Sequence, residues 1–75
     1  MEDKELRKVE QLAMRCRTAY HDLLKVAADM NGLTARAVAT VATCHLTTAA
    51  TKVNAAVGLL NNTLAENGVF LEVNK

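Results

Sequence analysis

Proline is absent from the 75 residues, glycine occurs three times, and Tyr20 and Phe70 are the whole aromatic complement. With no proline to interrupt it and Ala and Leu abundant, the chain is expected to be all-helical. Two aromatics are too few for the stacking platforms that bind single-stranded nucleic acid. Two cysteines cannot make the disulfide framework of a small secreted domain. Nine basic against eight acidic residues leave a net charge of +1, which excludes the broad electrostatic footprint of a protein that wraps duplex nucleic acid but leaves room for a local anion site. The longest uncharged runs, Ala37 to Thr51 and Val53 to Ala65, are too short and too rich in Thr and Asn to span a bilayer. The N-terminus MEDKELRKVE has no apolar stretch of the signal-peptide kind, so the protein is expected to stay in the cytoplasm with reduced thiols.

What remains is a single domain, residues 1–75, whose core alone would supply only about 3–5 kcal/mol. With disulfides and metal motifs missing, assembly with other copies is the expected means of stabilisation.

Leu6, Val9, Ala13, Cys16, Tyr20, Leu23, Ala27 and Met30 recur at steps of three and four, the spacing of a helix seam. Leu12, Ala19 and Val26, seven apart, are expected to widen it on one flank. Asn31-Gly32 reads as a left-handed stop, so helix 1 is placed at about residues 2–30. Thr34 is the expected N-cap of a second helix, about 35–66, which ends at a second Asn-Gly, Asn67-Gly68. Two long helices joined this closely fold back as an antiparallel hairpin. The tail, residues 69–75, has strand-like composition without a partner strand.

Charge is distributed unevenly: 12 of the 17 charged residues lie in residues 2–29, whereas residues 34–65 hold only Arg36 and Lys52. Sixteen of those 32 residues are Ala or Thr. Such a helix forms poorly alone and needs contacts, expected on more than one side. At about 100° per residue, Ala39, Ala42, Leu46, Ala49, Val53, Ala56 and Leu60 form the seam toward helix 1. Arg36, Thr40, Thr43, Thr47, Thr51, Asn54, Gly58 and Asn61 form a small, hydrogen-bonding stripe on one flank. Val41, His45, Thr48 and Lys52 form the other. The small side chains predict close subunit packing, hence an all-α hairpin assembling into a homo-oligomeric helical bundle. A Rop-like dimer is the simplest version, and the scarcity of charge on helix 2 argues for more than two subunits.

Cys44 and His45 are adjacent in sequence, but helix neighbours diverge by about 100° and cannot act as nucleophile and base. No enzymatic role is expected. The two Cys and two His lack zinc-ligand spacing, so no metal or cofactor is expected and both cysteines read as buried seam thiols. In the hairpin, positions summing to about 65 lie level, which puts Arg15 near Thr48 to Lys52 on the His45 side, and Arg17 and His21 with Thr43 and Thr47 on the opposite side. Either side could hold a phosphate through charge-assisted hydrogen bonds; each residue taken singly also fits a solvated surface role.

Tyr20-His21-Asp22-Leu23, followed by a turn and by Leu46 through Asn54-Ala55-Ala56-Val57, resembles the helical hairpin of phage anti-CBASS protein 2, shared with Thoeris anti-defence protein 1, over about residues 10–60. The resemblance implies a non-enzymatic sponge, typically hexameric, that sequesters the cyclic oligonucleotides of bacterial immune signalling in the host cytoplasm. It places His45 close to a basic position of the family, Thr48 within one residue of a hydroxyl position, and Asn54 on an asparagine. With Arg15 and Lys52 these make the expected ligand site: Arg15, His45, Thr48, Lys52 and Asn54. The chain departs from the family in carrying Thr51 and Lys52 where members have an aromatic pair, and in lacking an N-terminal aromatic-Tyr-His-Pro segment that helps bind cyclic dinucleotides. A larger ring held by helix residues at a symmetry axis depends less on that segment. The alternative is a protein-binding inhibitor or adaptor that acts through the charged face of helix 1 and the tail.

Overall fold

The computed structural model describes residues 1–69, as two long helices joined by one short turn: α1 (Asp3–Asp29), a 3-10 turn (Met30–Gly32) and α2 (Arg36–Glu66). The helices pack against each other along their length as an antiparallel hairpin, with no strand among the described residues. Residues 70–75, which carry the expected strand-like tail beyond Val69, lie outside the described residues.

Helix α1 starts after Glu2, whose extended backbone leads into a first turn carrying Asp3 and Glu5. Those carboxylates lie where the exposed N–H groups and the helix dipole favour negative charge. The expected seam of α1 is present: Ala13 and Ala27 are buried, and Leu6, Val9, Cys16, Tyr20, Leu23 and Met30 are half-buried. The expected flank is not part of it, since Leu12, Ala19 and Val26 are all exposed. One facing helix covers only a narrow stripe, and residues about 100° off its centre remain in solvent.

On α2 the seven expected seam positions are all buried or half-buried. The most deeply buried set nevertheless includes Ala50, Val57 and Leu64, a row seven apart beside that seam. Among the described residues the buried core is Ala13, Ala27, Ala39, Ala50, Val57 and Leu64. Four of the six are alanines, each contributing about one methyl group's worth of burial, roughly 0.8 kcal/mol. The seam therefore sets the register of the hairpin without giving it a large apolar core.

The two Asn-Gly pairs behave differently. At Asn67-Gly68 the glycine takes a left-handed φ of 78°; Val69 N–H donates to the Leu64 carbonyl at 2.8 Å and Gly68 N–H to Ala65 at 3.0 Å. This is a Schellman ending, which satisfies carbonyls that the last turn leaves without partners. At Asn31-Gly32 the expected left-handed stop is absent, and Gly32 is not among the positive-φ glycines. There the helix tightens into the 3-10 turn and Leu33 becomes extended. The Arg36 guanidinium donates to the carbonyls of Asn31 at 3.2 Å and Leu33 at 3.3 Å. Arg36 thus closes the joint instead of extending the expected stripe. Thr34 is not the N-cap: the residue in that place is Ala35, with no side-chain cap, and α2 begins when Ala39 N–H donates to the Ala35 carbonyl.

Candidate functional site

Arg15, His45, Thr48 and Lys52 are all exposed. On α2, His45, Thr48 and Lys52 follow steps of three and four and share one side of the helix. The antiparallel register and a rise of 1.5 Å per residue put Arg15 of α1 level with residue 50, between Thr48 and Lys52. Helix α2 contributes no carboxylate to this region, because residues 36–65 contain neither Asp nor Glu. The region offers guanidinium, ammonium and imidazole donors to an anion, and from α1 it also holds the exposed carboxylate of Asp22, seven residues after Arg15 on the same side.

Asn54 is also exposed but does not join the cluster. Two residues beyond Lys52 on an α-helix is a rotation of about 200°, which turns Asn54 to the opposite flank. The expected five-residue site is thus divided, with four residues on one side and Asn54 on the other beside Thr47, Thr51 and Gly58.

Thr48 has a further constraint. Its hydroxyl donates to the Cys44 carbonyl at 2.9 Å, and its neighbours behave alike: Thr40 donates to Arg36, Thr47 to Thr43 and Cys44, Thr51 to Thr47 and Thr63 to Leu59. These donors are used within their own helix, as commonly happens for Thr inside a helix. The threonine stripe consequently presents oxygen lone pairs and methyl groups more than free O–H donors. Arg15, His45 and Lys52 are left as the principal donors on their side.

On the opposite side His21 is exposed and meets Tyr20 edge-on, with ring centroids 5.3 Å apart. Thr43 and Arg17 are half-buried there. Asn61 was expected in the small stripe, and its Oδ1 is buried with no hydrogen-bond partner. Sequence spacing places Asn61 in the small stripe on the flank but does not reveal that its oxygen is buried without a partner.

Cys44 is exposed and Cys16 half-buried, so the expectation of two buried thiols fails for Cys44, which points away from α1. Among the described residues no group of three or more His, Cys, Asp or Glu side chains is arranged to hold a metal ion, and no helix is long and apolar enough to cross a membrane. A cleft of about 280 Å³ lies at the open end of the hairpin, lined by Asp3, Leu6, Arg7, Glu10 and Val69. Two carboxylates against one guanidinium make it unsuited to a polyanion, and none of the expected ligand residues lines it.

No protein-family model matches the chain, and no curated protein or solved structure shows significant similarity to it.

Proposed function

We propose that the chain is a non-enzymatic sponge that assembles from helical hairpins and sequesters a phosphate-bearing ligand of the cyclic oligonucleotide class. The observation that supports this reading best is the exposed pair His45 and Lys52, with Thr48 between them, on one side of α2, which carries no carboxylate over residues 36–65, together with exposed Arg15 of α1 level with them. A ring with several phosphates needs several donors on a surface broad enough to meet it, and this side supplies them without an enclosed pocket. The resemblance to phage sponges supports the ligand class. Asn54 belongs to this ligand only if a further copy brings its flank to the same ring.

The test is to purify the protein from cells that make cyclic nucleotides, denature it, and identify the released small molecules by mass spectrometry. Titration calorimetry with cyclic di- and trinucleotides then measures affinity. Charge-assisted hydrogen bonds are worth roughly 1.5–3 kcal/mol each, so Lys52→Ala or His45→Ala should weaken binding about ten-fold to a hundred-fold. If neither variant loses affinity, the ligand belongs to the opposite side, with His21, Thr43 and Thr47.

The mixed-charge cleft at Asp3, Leu6, Arg7, Glu10 and Val69 favours the second reading, a protein-binding adaptor. Its combination of apolar floor and charged rim suits a peptide segment better than a nucleotide. A parent protein that binds no cyclic nucleotide but captures a specific host protein would support the adaptor.

A further inference from the structure

Two rows of side chains run along the side that holds Arg15, His45 and Lys52. On α1 the row is Glu5, Leu12, Ala19, Val26, and on α2 it is Val38, His45, Lys52, Leu59, Glu66, each with seven-residue spacing and every member exposed, the two carboxylates standing at the open end of the hairpin. Leu12, Val26, Val38 and Leu59 are 44–69% exposed, a substantial apolar load for one side of so small a chain.

The order within the rows is informative. Between the carboxylates at the open end and the turn, the α2 row reads apolar, basic, basic, apolar, and the α1 row reads apolar, small, apolar. Each of these inner stretches is a chemical palindrome. The α2 stretch is centred between Thr48 and Ala49, and the α1 stretch at Ala19, which lies level with about residue 46; the two centres therefore nearly coincide along the hairpin. A two-fold axis through that point, crossing the helices at right angles, maps each inner stretch onto itself in reverse and carries Glu5 and Glu66 to the turn of the second copy. Val38 then meets Leu59 of a second copy, Leu12 meets its Val26, and Ala19 meets its Ala19, where small side chains permit close approach.

We propose that this side is the interface with a second copy of the chain, packed antiparallel about that two-fold axis. Area supports this occupant. A 31-residue helix is about 46 Å long, and the hairpin is 20 Å wide, so one side presents roughly 900 Å². Specific interfaces bury about 800 Å² per partner. The pairing also gathers His45 and Lys52 of both copies around the axis. Where the proposed function holds, the ligand site is incomplete in one chain, and the partner supplies half of its cations to a ligand whose phosphates are themselves related by a two-fold.

The test uses the full chain with Cys16→Ser and Cys44→Ser, and a short bis-maleimide crosslinker. With Val38→Cys and Leu59→Cys together, crosslinking should yield a species of twice 8.1 kDa. Either substitution alone should yield none, because the two-fold leaves like positions 21 residues, about 31 Å, apart. A parent that sediments as a monomer at micromolar concentration overturns the proposal, and so do single variants that crosslink as well as the double one. These measurements contain no nucleotide. Crosslinking without ligand binding would overturn only the sponge reading, and ligand binding without the crosslink would overturn only the interface.

Discussion

The two long sides of the hairpin are built from the same two helices over the same length, yet their chemistry differs. One carries Leu12, Val26, Val38 and Leu59 around Arg15, His45 and Lys52. The other carries His21, Thr47, Thr51 and Asn54 exposed, with Arg17, Thr43 and Asn61 half-buried. Neither side is the ordinary charged surface of a small soluble helix pair, and their difference indicates separate tasks. The first has large apolar groups at its ends and cations at its middle, a pattern that suits a partner with the same pattern reversed. The α2 stripe of the second is low and even, since its threonines direct their hydroxyl protons into their own helix. It can approach another backbone closely but has few donors to offer.

The largest effect should come from the seam that divides the sides. Among the described residues Leu64 is the one large side chain with no exposure at all, and Leu64→Ala should cost about 2–5 kcal/mol. Thermal denaturation followed by circular dichroism measures this. Because the seam serves both sides, the loss should appear whatever the state of assembly, and it gives the scale against which variants of either side are read.

Next in size is the contrast between Leu59→Asp and Thr47→Asp. Both positions are exposed in the single hairpin, so neither change should unfold it by loss of core packing. At an apolar interface a buried, unpaired carboxylate should weaken self-association by at least about thirty-fold, equivalent to roughly 2 kcal/mol. Thr47→Asp should leave the antiparallel pair intact. Sedimentation velocity across a dilution series checks both. Equal losses from the two variants would erase the distinction between the sides.

How far the fold could be read from sequence depended on whether one facing helix or the chain's path decided the outcome. The seam from Leu6 to Met30 and its counterpart from Ala39 to Leu60 were legible because a single partner helix enforces steps of three and four. Leu12, Ala19 and Val26 misled, because seven-residue spacing marks a row without saying whether anything in the same chain covers it. Of the expected ligand residues, helix rotation groups His45, Thr48 and Lys52 on one side of α2 with Arg15 of α1 level with them, and the same rotation separates Asn54 from them. The use of the Thr48 hydroxyl within its own helix was not legible, because it depends on a side-chain rotamer.

The paired Asn-Gly signals show the influence of the path most directly. After Gly68 no further helix follows within the described residues, and the left-handed ending can form. After Gly32 the chain must enter α2 within four residues, and Arg36 satisfies the carbonyls of the joint instead. A Cβ would meet nothing within 4 Å at either glycine, so only backbone conformation separates them. Gly68→Ala should therefore lower stability by about 1 kcal/mol, and Gly32→Ala should not lower it. Chemical denaturation of the two variants side by side measures the difference.

The smallest effect concerns Gly58 on the low side. It lies inside α2 with helical φ and open space around its missing Cβ. Gly58→Ala should raise stability by about 0.4–1 kcal/mol, because alanine restricts the unfolded chain without meeting an obstacle. Gly58→Leu separates two fates of that side. The small stripe is expected to pack against further copies, beyond the antiparallel pair formed by the opposite side. A leucine there should reduce a larger assembly to that pair while helix content by circular dichroism stays constant, since the site is exposed within the hairpin. Light scattering reads the mass directly. If Gly58→Leu and the parent have the same mass, the low side faces solvent, and assembly ends at the pair formed by the Leu12 and Leu59 rows.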